Sequence, residues 1–439
     1  MSSRWVLHAI TFVFVFGWKA TAMLDLVLLT SIALVCHGVV KHGPGRLVYD
    51  HVGAGVYVLF AWSLAVAAAF LPDDLFFVAR NLRAWVNFAG AAYLAVLFVE
   101  VHGSPRRGLD AALTSLALAI SLHALIVMTM FAVPELRERI YALTSAAEYA
   151  NETTSFGEGF RITGLTYGLS QTSMLHAFGA LIAFSRWVGA SSGWRRLGWL
   201  LAFLLQGGSI FIIGRSGLMF LAVGLLAVLG HTLLTGSLSR TVGRLVSIAG
   251  LVVGATLLLL GGDLIGSASQ DRESTIGRLS TYTVDHSSEV LEVLITGESH
   301  TTQYVADGLF APDDLRTMIV GGEGSGRGPG RYLDSDSGYV KIWFGLGLVG
   351  CVISVYIYII ALWPAYRLGW REPAVFLFVL YVVALMAFNV KELALLTRNQ
   401  WSVITLLYWL TRSLAIESTP PREVSVTTPD TSSPAPQAA

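Results

Sequence analysis

Charge is what this sequence has least of. Of its 439 residues, 13% are Asp, Glu, Lys or Arg, about half the roughly 25% of a soluble domain. Hydrophobic residues make up 54% and the mean hydropathy is +0.64, which excludes an ordinary water-soluble globular chain. Basic and acidic residues balance at 29 each, so the excess of positive charge expected of a nucleic-acid binder is missing and no nucleic-acid partner is expected. Only two cysteines occur, Cys36 and Cys351, both inside apolar runs. A disulfide framework is thereby excluded. The sequence has no Walker loop, no dinucleotide fingerprint, no HExxH and no G-x-S-x-G. Each of those chemistries would need its motif, and no cofactor is expected.

Long apolar runs are what the sequence does have. They recur at about the 18–25 residues a helix needs to cross hydrocarbon, near 5–18, 22–40, 52–71, 84–101, 109–133, 171–188, 195–213, 216–234, 244–263, 339–361, 373–390 and 398–415. This pattern predicts an all-α polytopic bundle of about twelve membrane helices over 1–416, since lipid-buried backbone must satisfy itself within its own segment. The strict alternation of barrel strands is absent. The run from Trp5 to Phe16 lacks a small-residue cleavage site and Lys19 follows it, so it reads as a retained helix. No internal repeat is visible. The Pro/Ser/Thr/Ala-rich segment 417–439 is too polar to bury a core.

Short loops set the expected orientation. With the N-terminus inside, one set of loops carries Lys41 and Arg46, Arg106 and Arg107, Arg186, Arg195 and Arg196, Arg240 and Arg244, and Arg367 and Arg371. These loops are basic and nearly free of acid, as cytoplasmic loops are. The opposite loops are mixed: Asp73 and Asp74 lie beside Arg80 and Arg83, and Glu392 lies between Lys391 and Arg398. Both termini are thus expected in the cytoplasm. Two long loops, 134–170 and 264–338, then fall on the outer side, and loops of that length are usually functional or disordered.

Outer-face arginines stand out, because topology selects basic residues for the inside. Arg161, Arg215, Arg278, Arg327 and Arg331 all face outward in this assignment. Arg215, in the Gly214-Arg215-Ser216-Gly217 break between two apolar helices, either marks a site or snorkels at a helix end. Arg161 opens a polar run to Ser173, where Ser170, Thr172 or Ser173 is a candidate helix cap and the helix amides with Arg161 would form an anion site. Guanidinium forks bind phosphate oxygens bidentately, so a membrane-surface pyrophosphate is the expected ligand. Arg278, Arg327 and Arg331 read equally as solvated loop charges.

Asp336, Glu298 and His300 are the candidate proton acceptors for a sugar hydroxyl. Asp336 reads equally as a helix cap. Asp334-Ser335-Asp336 and Asp73-Asp74 are weak metal signals. His123, His176 and His231, inside spans, read as polar core contacts, and Asp25 is an intramembrane carboxylate without an assigned partner.

Four stretches, in order, are similar to the Wzy-type O-antigen or capsule polymerases and the related O-antigen ligases. They are Arg161-Ile-Thr-Gly164; the run from Gly208 through Gly214-Arg215-Ser-Gly-Leu218; Gly277-Arg278-Leu-Ser-Thr-Tyr282 with Glu289 to Glu298; and Asp336-Ser-Gly-Tyr339 with Phe344 to Gly350. Where the family often has Pro-Asn after the arginine loop, this chain has Leu169-Ser-Gln-Thr172. The resemblance implies a GT-C-like bundle in a bacterial inner membrane with a periplasmic active site. It implies a metal-independent glycosyltransferase that moves a glycan from undecaprenyl pyrophosphate to a lipid-linked repeat unit. Arg161, Arg215, Arg278, Arg327 and Arg331 would hold the pyrophosphate; Asp336, Glu298 or His300 would act as base; Ser337 and Tyr339 would line the substrate. Implied partners are the lipid-linked glycans, membrane lipid, a chain-length regulator and a flippase. A ligase, a polyprenyl-phosphate-sugar transferase using metal, and a transporter remain as alternatives.

Overall fold

A computed structural model describes residues 3–19, 25–43, 50–71, 73–144, 162–166, 168–214, 216–235, 308–323, 333, 335–369 and 372–419. Among these residues there is no strand, only an isolated bridge between Lys19 and Asp25. The helices are α1 (Ser3–Phe16), α2 (Leu26–His42), α3 (His51–Phe70), α4 (Phe76–His102), α5 (Pro105–Ala132), α6 (Pro134–Thr144), α7 (Leu169–Gly189), α8 (Gly193–Ile213), α9 (Ser216–Thr235), α10 (Leu315–Ile319), α11 (Gly338–Ala361), α12 (Trp363–Leu368), α13 (Pro373–Phe388) and α14 (Arg398–Glu417).

Among the described residues, six helices are long and apolar enough to cross a membrane: α3, α4, α5, α8, α9 and the α11–α12 run. The expected span at 244–263 lies outside the described residues, as does the tail beyond residue 419. Helices α1, α2 and α13 are apolar but shorter. Helices α7 and α14 carry many polar residues, and the packing explains them: 13 of the 21 residues of α7 and 14 of the 20 of α14 are buried. A helix surrounded by protein need not be apolar, whereas α9 exposes Met219, Val223 and Leu226 and meets its surroundings with hydrocarbon. Helix α7 packs on α5, α8 and α9, and α14 packs on α4 and α5, so these two polar helices form the axis of the bundle.

Two expectations are corrected. Helix α4 begins at Phe76, eight positions before the expected 84; its start has no side-chain cap, and Asp74 just ahead of it accepts the Phe76 N–H (3.0 Å). Arg80 and Arg83 are therefore helical residues. The segment 134–144, expected as loop, forms α6.

Side-chain contacts sort the helix ends into two groups. At one end Lys41 pairs with Glu100 (2.7 Å), Arg106 with Glu372 (2.8 Å) and Arg186 with Asp110 (2.6 Å). These are the loops that the sequence marks as basic. The mixed-charge loops gather at the opposite end.

Helix α11 is broken at Gly347, whose φ of +70° suits glycine. A Cβ there would lie 2.2 Å from the Ile319 carbonyl oxygen. The break lets the 308–323 segment dock: Gly322 and Glu323 donate their N–H groups to Gly345 O (3.2 Å) and Phe344 O (3.1 Å), and the Trp62 indole donates to Leu346 O (2.8 Å). Carbonyls freed by the break are thus satisfied by protein, as an interrupted helix at membrane depth requires.

Candidate functional site

A cavity of about 740 Å³ opens at the end opposite the basic loops. Its walls are the starts of α4, α7, α11 and α14, the 389–397 loop, and Lys19 after α1. Six cationic side chains line it (Lys19, Arg80, Arg83, Lys341, Lys391 and Arg398) against the carboxylates of Asp336 and Glu392. An excess of fixed cations with low-dielectric walls is a trap for an anion.

Each wall has a local cause. Asp25 is 1% exposed; it accepts the N–H groups of Val27 (3.0 Å) and Leu28 (3.3 Å) as the cap of α2. The same carboxylate pairs with Arg398 (3.2 Å) and Arg83 (3.4 Å), holding two cations of the cavity wall. That gives Asp25 its partners, and because α2 starts only at Leu26, Asp25 stands at a helix end and not within the expected span. Arg80 donates to the Leu395 carbonyl and lies over the Phe76 ring. Asn87 is fully buried on the cavity wall; its Oδ1 accepts from Ser31 (2.9 Å), while its Nδ2 has no hydrogen-bond acceptor among the described residues. It is a buried donor waiting for an acceptor.

The 389–397 loop is held rigidly. Asn389 Oδ1 accepts the N–H groups of Ala394 (2.9 Å) and Leu395 (3.0 Å), and its carbonyl accepts from Gly338 (2.9 Å) and Tyr339 (3.3 Å). Leu396 adopts φ +58°, a left-handed conformation uncommon outside glycine, and the Tyr358 hydroxyl accepts its N–H (2.8 Å). A Cβ on Gly338 would stand 2.3 Å from Asn389 Oδ1. The glycine of the Asp336-Ser-Gly-Tyr339 stretch is therefore a close-approach residue.

Glu392 extends from this loop to the cavity, half-buried. Gln171 donates to its Oε1 (3.4 Å) and to Leu393 O (2.9 Å). Burial raises the Glu392 pKa above the usual carboxylate value, and the negative charge of Asp336 raises it further; a Ser170 hydrogen bond, Lys391 and Lys341 oppose the shift. Helix α7 starts into the cavity at Leu169 without a side-chain cap, so its first-turn amides add positive potential.

The arginine loop is anchored through the core. Leu165 N–H donates to His123 Nε2 (3.0 Å), which fixes His123 Nδ1–H as donor to His176 Nε2 (2.7 Å). His176 Nδ1–H then donates to Ser209 Oγ (2.6 Å), and Ser209 to Gln206 O (2.7 Å). The two histidines are satisfied core contacts, as expected; His231 stacks on Phe376.

Of the residues singled out from sequence, Asp336 lies at this cavity, exposed, with Lys341 Nζ 3.6 Å away. It does not cap α11. Ser337 does, its Oγ accepting from Val340 N (3.5 Å), because the helix starts one residue beyond it at Gly338. Ser337 is buried, Tyr339 donates its hydroxyl to Met386 O (2.9 Å), and neither lines the cavity. Ser170, Thr172 and Ser173 do not cap α7, since that helix begins earlier, after Gly168; Ser173 Oγ instead accepts Gly217 N–H (3.0 Å) and fixes α9, next to Arg215, against α7. Arg161, Arg215, Arg278, Glu298, His300, Arg327 and Arg331 lie outside the described residues, as does Asp334. Asp73 and Asp74 form no metal cluster among the described residues.

Sequence reasoning missed Arg80, Arg83, Lys391, Glu392 and Arg398 as a site. The signal was present: they are charges on the side that topology keeps poor in basic residues. They were read as ordinary mixed loops because 80 and 83 were placed before their helix.

No family model matches the chain, and no curated protein matches it.

Proposed function

We propose that this protein is a polysaccharide polymerase of a bacterial inner membrane, acting on its periplasmic face. It transfers a growing glycan from undecaprenyl pyrophosphate to the hydroxyl of a lipid-linked repeat unit. The observation that carries this reading is the cationic cavity: Arg80, Arg83, Lys391 and Arg398 converge with Glu392 at the end away from the basic loops. A pyrophosphate leaving group gains negative charge as its bond to the sugar breaks, and fixed cations stabilise that charge without reorganising. Apolar helices around the cavity suit a donor whose lipid stays in the bilayer, and the buried Asn87 amide offers a donor to a ligand oxygen.

The broken α11 favours one second reading. Discontinuous helices beside a central site are what a transporter or flippase uses. A ligase that passes finished polymer to a lipid A core would use the same cations.

The deciding experiment is the size distribution of lipid-linked and surface glycan in cells lacking the gene. The polymerase reading expects long ladders to collapse to one repeat unit, with Arg80→Ala failing to restore them and its transfer rate falling on the order of 10²-fold. Long polymer left on its undecaprenyl carrier would mean a ligase. Repeat units held on the cytoplasmic leaflet would mean a flippase.

A further inference from the structure

The transfer proposed above needs a group that accepts the proton of the attacking hydroxyl. We infer that Glu392, and not Asp336, is that group; the assignment rests on the polymerase reading.

Asp336 is poorly placed for the task. Its side chain is 63% exposed and Lys341 is its ion-pair partner at 3.6 Å. Most of its side chain therefore faces solvent and not the cavity wall. Glu392 differs on each count. It is half-buried on the cavity wall, and Gln171 orients its Oε1. Its loop is locked by Asn389, by the Tyr358 hydroxyl and by the left-handed backbone of Leu396. Strained backbone kept in place by its surroundings is a mark of functional positions.

The electrostatics agree with the geometry. Burial makes this carboxylate hold a proton more tightly than an ordinary glutamate, which brings a base toward the working pH. The charged groups around the cavity are Arg80 and Arg83 of α4, Asp336 and Lys341 at α11, and Arg398 of α14. Among the described residues the others are Lys19, the adjacent Lys391, and Asp25 behind Arg83 and Arg398. Lys391 and Lys341 oppose the upward shift, while Asp336 adds to it.

In the step, the acceptor O–H gives its proton to a Glu392 oxygen as the hydroxyl oxygen bonds to the anomeric carbon. The old bond from that carbon breaks, and its electron pair leaves with the pyrophosphate. The proton then passes from Glu392 to water at the cavity mouth. One base and no covalent nucleophile give inversion at the anomeric carbon.

The test uses the purified full-length protein in nanodiscs with lipid-linked repeat units extracted from polymerase-deficient cells. Binding of farnesyl pyrophosphate is measured alongside. Glu392→Gln is expected to lower kcat by about 10²–10⁴-fold while farnesyl pyrophosphate affinity stays within threefold of wild type, which also reports folding. Glu392→Asp should recover part of the rate, and Asp336→Asn should lose less than tenfold. The wild-type rate should rise with pH on an acid limb that is absent from the residual Gln activity. Glu392→Gln within threefold of the wild-type kcat, or a larger loss for Asp336→Asn, overturns the assignment and leaves the polymerase reading standing. A wild-type protein that neither elongates the repeat unit nor binds farnesyl pyrophosphate removes both.

Discussion

The two ends of the bundle use the same device for different purposes. At each end a buried aspartate caps a helix through two backbone N–H groups and then pairs with α14. Asp25 caps α2 and meets Arg398 and Arg83; Asp50 caps α3 and meets Tyr408 Oη (2.7 Å) and Arg412 (3.1 Å). Near the basic loops the cluster lines no part of the cavity, and its Arg412 side chain is 35% exposed. At the other end the aspartate's cations are also the wall of a cavity. The geometry of a buried ion pair therefore says little about its purpose, and what its far side touches says more.

That contrast can be broken most sharply at the aspartates. Removing one partner of a buried ion pair costs about 3–5 kcal/mol, so Asp25→Asn and Asp50→Asn should both lower thermal stability in detergent by amounts of that order. Only Asp25→Asn should also weaken farnesyl pyrophosphate binding, because only it releases two cavity arginines. Equal loss of affinity in both variants would undo the distinction between the ends.

Gly338→Ala probes the cavity end with a smaller change. The new methyl must displace Asn389, and overpacking of this kind costs about 1–3 kcal/mol. Unfolding measurements should show that loss, and transfer activity should fall further than stability because the loop bearing Glu392 shifts. Gly103→Ala, which has open space at φ +78°, should carry only backbone strain.

Glu392→Gln should act on stability in the opposite direction. The folded protein holds the Glu392 proton more tightly than the unfolded chain, so ionising it costs stability as pH rises from the ordinary glutamate value near 4.3 through the raised folded value. A neutral amide is free of that cost. The variant should therefore melt above wild type at neutral pH, and the difference should close in acid. No comparable gain is expected from Glu372→Gln, whose carboxylate sits at an exposed pair with Arg106. The smallest effects belong to such pairs. Arg106→Ala and Lys41→Ala should change stability by less than about 1 kcal/mol and leave ligand binding unchanged.

Much of this fold is legible in the sequence. Apolar runs give the helices, six of which among the described residues are long and apolar enough to cross a membrane, and ion pairs gather three of the loops marked as basic at one end. The internal helices were legible only in part. α7 and α14 were expected at 171–188 and 398–415 and stand at Leu169–Gly189 and Arg398–Glu417, but their place inside the bundle was not legible. The site was harder still. Asp336 was found because it precedes a glycine-rich span, yet the capping residue is Ser337, and one position along a turn is below what spacing resolves. Arg80 and Glu392 lie more than 300 residues apart, and no local pattern announces that they share a cavity. Their being charged in loops expected to face outward was the available clue, and it carries no distance information.

Asp25 has a consequence for how the chain is made. Its second arginine, Arg398, belongs to the last helix, and the neighbouring Asn399 donates to the carbonyl of Val15 in the first. A ribosome must deliver nearly the whole chain before the carboxylate near its beginning gains both counter-ions. A product halted before α14 leaves that carboxylate without its Arg398 partner. Completion of synthesis is thus written into the energetics of the N-terminal hairpin, where a membrane quality-control protease would meet a finished chain as closed and an unfinished one as open.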